Sequence, residues 1–200
     1  MPARKDYLHV ETPLIRDQIM SPVKYDHKLG TRVIGIDPGL NKTGYAIIER
    51  HVKGPRLLEC GLIRTPRNGS VAERVYEIGD SVRDAISEYK PHILAIEQAF
   101  VLPKNPKSSL LMSHVRGAVL FVALDQKVPV IHYSATRVKR TLTGGGHASK
   151  EDIQQAVMRE LNIDLTASPS DVADAVAIAL CHYHAPVIDQ LLDEMHPQAS

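Results

Sequence analysis

The sequence predicts an α/β domain in which a mixed five-stranded sheet is covered by helices on both faces. Three observations predict it. Three short apolar runs, starting at Arg32, Thr43 and Arg56, follow one another with only short loops between them, the grammar of an antiparallel meander. Beyond residue 70, segments with helical apolar spacing alternate with two further short apolar strands. Hydrophobic residues make up 44% of the chain and aromatic ones only 4%, which suits an aliphatic core.

The elements follow in order. Residues 1–30 lack periodicity and contain Pro13, Pro22 and Gly30. They read as a poorly ordered N-terminal extension with a short helix near residues 11–20, and Met20 is an alternative start. The domain proper spans 31–186, and 187–200 form a C-terminal tail. RVIGID is a buried strand that stops at the Pro38-Gly39 turn signal. TGYAIIER and RLLECGLIRT complete the meander. Val71, Val75, Ile78, Val82, Ala85 and Ile86 recur at helical spacing, so a helix covers about 70–90, closed by Pro91. HILAIE is a fourth strand, apolar on both faces, and it ends on Glu97. A long apolar helix follows over SSLLMSHVRGAVLFVALDQ, and PVIHY is the fifth strand. A short helix starts at Ser134, the hinge Gly144-Gly145-Gly146 follows, and Ser149 with Asp152 opens the next helix as a capping-box variant. The last helix starts at Pro169 and runs to about His184.

Several function classes are excluded at this level. No stretch approaches the ~18–20 uninterrupted apolar residues that span a bilayer, so no membrane association is expected. Asp6, Glu11 and Asp17 argue against a transit peptide. Cys60 and Cys181 are too few for a disulfide framework and read as buried reduced thiols of a cytoplasmic protein. The net charge is only +1, but its distribution is uneven. Residues 103–150 carry eight basic side chains against Asp125 alone, while the rest of the chain is acidic on balance. Such asymmetry suits a phosphate-facing surface beside a separate acidic focus, although a charge run alone is often just a solvated face.

Four acids stand in telling contexts. Asp37 closes a buried strand, which holds its carboxylate at the sheet's edge; Asp-Pro-Gly is also ordinary turn chemistry. Glu97 ends a wholly apolar strand, where an unpaired carboxylate would cost several kcal/mol, unless the strand end is simply exposed. Asp171 and Asp174 are three residues apart at a helix start and share one face. Asp171 equally fits a helix-capping role, whereas Asp174 lies a turn deeper in an apolar run. If the four converge, cations or protons must relieve their repulsion, and all-oxygen ligands favour Mg²⁺ or Mn²⁺ over zinc. Two such ions can activate a water and stabilise the leaving oxygen of a phosphodiester. The histidines offer no competing site: His182 and His184 point to different helix faces, and His114, His132 and His147 lack zinc spacing. The triple glycine lacks the Lys-Ser/Thr that a nucleotide-phosphate loop needs.

GIDPGLNKTGYAII, AIEQAF, VKRTLTGGGHASKEDIQ and SPSDVADAVAIALCHYH, in this order, closely resemble RuvC, the Holliday-junction resolvase family of the ribonuclease-H-like superfamily. The resemblance covers roughly Arg32 to Ala185. It implies a homodimer that nicks two opposed strands of four-way junction DNA, in recombination and repair, leaving 5′-phosphate and 3′-hydroxyl ends. By the same resemblance Asp37, Glu97, Asp171 and Asp174 are the catalytic, Mg²⁺-binding acids, with two ions per site and Mn²⁺ as a substitute. Phe100 matches the aromatic that stacks on a base near the crossover, though cover for apolar surface is its plainer role. Lys139 and Lys150 match basic residues near the scissile phosphates, and Arg116 and Arg137 are further DNA-binding candidates in the basic segment. The helix over 108–127 is implied to form the dimer interface, and the RuvA–RuvB branch-migration complex is the implied partner. The N-terminal extension has no counterpart in the family. The rival readings are a ribonuclease-H-like nuclease of the RuvX/YqgF type, a sugar-kinase-type ATPase, for which 200 residues are too few, and a non-catalytic junction-binding module.

Overall fold

The computed structural model describes residues 28–98 and 106–195, with side chains to residue 185. The extension over 1–27 and Phe100 lie outside the described residues. Five strands among these residues form one sheet: β1 Arg32–Asp37, β2 Lys42–His51, β3 Gly54–Arg64, β4 Ile93–Glu97 and β5 Val130–Tyr133. Their order is β3-β2-β1-β4-β5. β1, β2 and β3 pair antiparallel, whereas β4 joins β1 and β5 joins β4 in parallel. The meander plus two parallel strands is therefore as expected.

Among the described residues, five helices connect and cover the sheet: α1 Val71–Tyr89, α2 Pro106–Asp125, α3 Ala135–Thr143, α4 Lys150–Leu161 and α5 Ser170–Met195. Side chains alternate along the strands, so each face has its own core. Ile34, Ile36, Leu94 and Ile96 pack against α1 and α2 with Ile78, Val82, Val115, Val119 and Val122. Val33, Ala95 and Tyr133 point the other way, onto α3, α4 and α5. Ser70 caps α1 in a reciprocal box with Glu73, and Lys90 closes it in the left-handed region. Ser149 and Asp152 form the expected capping box at α4.

Three details differ from the sequence reading. α5 does not stop near His184 but continues through Pro186 to Met195, into the segment expected to be a tail. Proline removes one backbone donor without forcing an end to a helix whose preceding turns are already packed; Ala175 to Cys181 are all buried. Cys181 is buried, but Cys60 is only half-buried. α2 has no uninterrupted apolar run, since Lys107, His114 and Arg116 break it. By length and average hydropathy it is nonetheless apolar enough to cross a membrane, a test that core helices of soluble proteins also pass.

Candidate active site

Strand pleating decides where the acids point. Asp37 is two residues beyond Gly35 and Glu97 two beyond Ala95, so both carboxylates belong to the α5 face of the sheet. β1 and β4 are parallel neighbours, in register through the Ile36–Ile96 pair, and the two acids stand one step beyond it. Two strand ends thus place two carboxylates side by side, about one strand spacing (~4.8 Å) apart at the backbone.

Two glycines bring the second pair onto the first. A Cβ on Gly44, the cross-strand partner of Asp37, would stand 1.9 Å from the backbone oxygen of Asp171. A Cβ on Gly35 would stand 2.3 Å from the Ala175 oxygen and 2.7 Å from the Ala179 nitrogen. α5 therefore lies directly on the backbone of β1 and β2, with its first turn over Asp37. Asp171 sits inside that turn rather than at the cap, because the Val172 N–H bonds back to the Pro169 carbonyl. All four acids are half-buried.

Their electrostatics show the crowding. Asp37 is pushed up to about 7, first by burial and then by Asp174, Glu97 and Asp171, with Lys150 opposing. Glu97 is also raised, by burial and then by Asp174, against Lys150, Arg116 and Lys139. Such shifts mark groups held together at a cost to the fold, as functional sites often require. Among the described residues, no three Asp, Glu, His or Cys side chains stand together closely enough to form a ready-made metal site. The cation within the cluster is instead Lys150, whose ammonium donates to Asp174 at 2.9 Å.

The raised acids make a stability prediction with an unusual sign. The unfolded Asp37 loses its proton near 3.8 but the folded one holds it to about 7, so the native state binds more protons across that window. Stability falls as pH rises through it, the reverse of a salt-bridged carboxylate. Calorimetry of metal-free protein from pH 5 to 7.5 should show a declining Tm that Asp37→Asn flattens. A decline of equal slope in both proteins would contradict the assignment.

The basic candidates divide. Lys139 and Lys150 line a cleft of about 150 Å³ together with Glu97 and Asp174. Arg137 lies over the Tyr133 ring, 5.4 Å from its centroid. Arg116 is half-buried and turned inward: its guanidinium donates to the Glu97 carbonyl and contacts His132 Nδ1 at 2.5 Å. A larger groove of about 500 Å³, lined by Gly145, Gly146, His147, Gln155 and Arg159 among others, borders none of the four acids. The histidines are dispersed, His182 on Tyr133 Oη at 2.8 Å and His184 on Glu160.

Sequence reasoning missed the supports of this site. Arg74 is buried, and its guanidinium donates to the Leu40 carbonyl at 3.0 Å, to Thr65 Oγ1 at 3.0 Å and to Asn41 Oδ1. Thr43 Oγ1 donates to the Gly39 carbonyl at 2.8 Å. Together they fix the turn that follows Asp37. The available signal was a basic residue at a buried position of the α1 apolar stripe, one turn before Ile78.

Comparisons with known proteins point to one family. The profile of the family described as "Crossover junction endodeoxyribonuclease RuvC" matches residues 33–182. A RuvC of Rhodopirellula baltica is 44% identical over 164 residues, 80% of this chain and 91% of the relative. One of Azoarcus sp. is 40% identical over 156 residues, covering 78% and 84%. The structure of Thermus thermophilus RuvC in complex with Holliday junction substrate superposes with a TM-score of 0.73 at 32% identity, covering 80% of this chain and 96% of that one.

Proposed function

The chain belongs to the RuvC family of crossover junction endodeoxyribonucleases, and from that premise we propose that it resolves Holliday junctions, with Asp37, Glu97, Asp171 and Asp174 as its catalytic acids. The enzyme is a phosphodiester hydrolase of recombination and repair. One observation carries the assignment of the site: two strand ends and one helix start, distant in sequence, bring three half-buried carboxylates near enough to Asp37 to raise it.

Nucleases of this family are metal-dependent. The donors here fit such a cation, being hard carboxylate oxygens whose mutual repulsion raises Asp37 and Glu97. Asp37, Glu97, Asp171 and Asp174 would hold Mg²⁺, with Mn²⁺ as substitute and two ions in the full site. When bound, the cation supplies activation of water and neutralisation of charge on the phosphate. The chain's own groups do the rest. Lys139 and Lys150, in the cleft beside Glu97 and Asp174, attract and orient the scissile phosphate. Arg74 and Thr43 keep the Asp37 turn rigid, and Phe100 stacks on a base exposed at the crossover. Arg137 adds positive charge to the approach. Arg116, a further DNA-binding candidate, also steadies the Glu97 end of β4 through the carbonyl it bonds. The products are 5′-phosphate and 3′-hydroxyl ends, and the work is cytoplasmic, alongside RuvA–RuvB.

Two-fold cutting calls for a dimer, and α2 offers the surface. Leu110, Gly117, Phe121 and Leu124 lie on its exposed side, Leu110 61% and Phe121 66% accessible. Their spacing of three, four and seven is that of a helix–helix seam. The open space above Gly117 admits a close neighbour. Phe121→Glu should weaken self-association about thirtyfold or more, the loss typical of a buried aromatic anchor. Sedimentation at micromolar concentration checks it, and a variant that stays dimeric removes α2 from the interface.

The substrate assignment is tested by comparing four-way junctions, linear duplexes and RNA–DNA hybrids in Mg²⁺. Junctions should be cut in strong preference, and preference for hybrids would return the chain to the wider ribonuclease-H-like group.

A further inference from the structure

Lys150 is the first residue of α4, a place where local helix chemistry disfavours a cation. The exposed N–H groups of a helix start carry partial positive charge, and acids are preferred there. The neighbouring Glu151 and Asp152 obey that preference; Lys150 does not. What faces it explains the exception. Its ammonium donates to Asp174 Oδ2 at 2.9 Å, its one hydrogen bond among the described residues. Its charge also acts on Asp37, Asp171 and Glu97, so it is coupled to all four acids. The backbone beneath it is pinned by the Ser149–Asp152 capping box, while the side chain is 69% exposed. A four-carbon stem on a fixed base can swing without disturbing the helix. Lys139 borders the same cleft but makes no ion pair among the described residues.

Building on the reading that the four acids hold a divalent cation, we propose that Lys150 is the exchangeable counter-ion of that site. In the DNA-free protein its ammonium occupies Asp174, and cation entry displaces it outward, where a DNA phosphate can take it. The cation and the lysine compete for one carboxylate, so whatever holds Lys150 away from Asp174 tightens the cation. A phosphate that binds Lys150 does so, and by linkage the cation tightens that phosphate equally. The site would therefore fill most readily when a backbone is in place.

The test uses full-length, DNA-free protein and Mn²⁺ alone, titrated calorimetrically into wild type, Lys150→Gln, Lys150→Arg and Lys139→Gln. Lys150→Gln should bind Mn²⁺ about tenfold or more tighter, as loss of a contacting like charge requires. Lys139→Gln should stay within about threefold, since Lys139 acts on Glu97 less than Lys150 does and is absent from the charges acting on Asp37, and Lys150→Arg should remain near wild type. In parallel, labelling with an amine-reactive reagent should modify Lys150 of the wild type severalfold faster at saturating Mn²⁺, with Lys139 unchanged. Equal tightening in both glutamine variants, or a Lys150 labelling rate indifferent to bound Mn²⁺, overturns the proposal while leaving the metal site intact. Mn²⁺ binding to neither wild type nor Lys150→Gln overturns the metal site and the proposal together.

Discussion

Asp37→Asn is expected to lower metal-dependent junction cleavage about a thousandfold or more, because it removes a charged ligand worth several kcal/mol of transition-state stabilisation. The same substitution should leave the metal-free protein as stable as wild type at neutral pH, or more so. Asp37 is half-buried among three other acids and held up to about 7, so the fold bears a cost for its charge. The isosteric amide removes that cost without opening a cavity. Activity and stability therefore move in opposite directions, a pattern that a merely structural aspartate would not give. Junction binding should survive and tighten as acid–phosphate repulsion falls. Single-turnover cleavage, gel-shift binding and calorimetry on the same preparation check all three. Cleavage within tenfold of wild type, or an inactive protein that has lost its fold, would contradict the assignment.

The second large effect is expected at a residue that carries no charge itself but sits between Asp37 and Asp171. Gly44→Ala adds one methyl where the Asp171 oxygen stands 1.9 Å from the new atom. Backbone cannot be repacked as a side chain can, so the first turn of α5 must lift. Overpacking typically costs about 1–3 kcal/mol, and a rigid backbone contact belongs at the upper end. The larger loss is catalytic. Asp171 and Asp174 ride on that turn, and a displacement of about 1 Å at reacting groups can cost on the order of a hundredfold in rate. A Gly117→Ala control, with open space around it, should be far milder for monomer stability. If Gly44→Ala melts and cuts like wild type, the seat of α5 on β2 does not control the acids.

These two residues also mark the limit of what was legible in the chain. Glu97 could be singled out because a carboxylate ending a wholly apolar strand is a local contradiction, whereas Asp37, which also suits a turn, and Asp171, which also suits a helix start, rested on the family resemblance. Asp174 was visible for the same reason as Glu97, being an acid within an alanine-rich apolar run. The strands and most helix boundaries were legible because pleat alternation, capping serines and closing prolines are local signals. Gly44 and Gly35 looked like ordinary strand glycines, since their role lies in an approach by a helix more than a hundred residues later. Arg74 was hidden likewise: its three acceptors come from the β1–β2 loop and the end of the meander. Arg116 was read from its charge alone, and only the fold shows that it also donates to the Glu97 carbonyl. Pro186 reads as a stop, yet the helix runs past it.

End-labelled mapping of cuts on a synthetic four-way junction, with Mg²⁺ or with chelator, is the most direct measurement. The expected result is nicks on two opposed strands at symmetry-related positions, in Mg²⁺ only, with ends that a ligase seals. Cutting that persists in chelator, or unpaired nicks made equally well on a linear duplex, would contradict a metal-dependent junction resolvase built on these four acids.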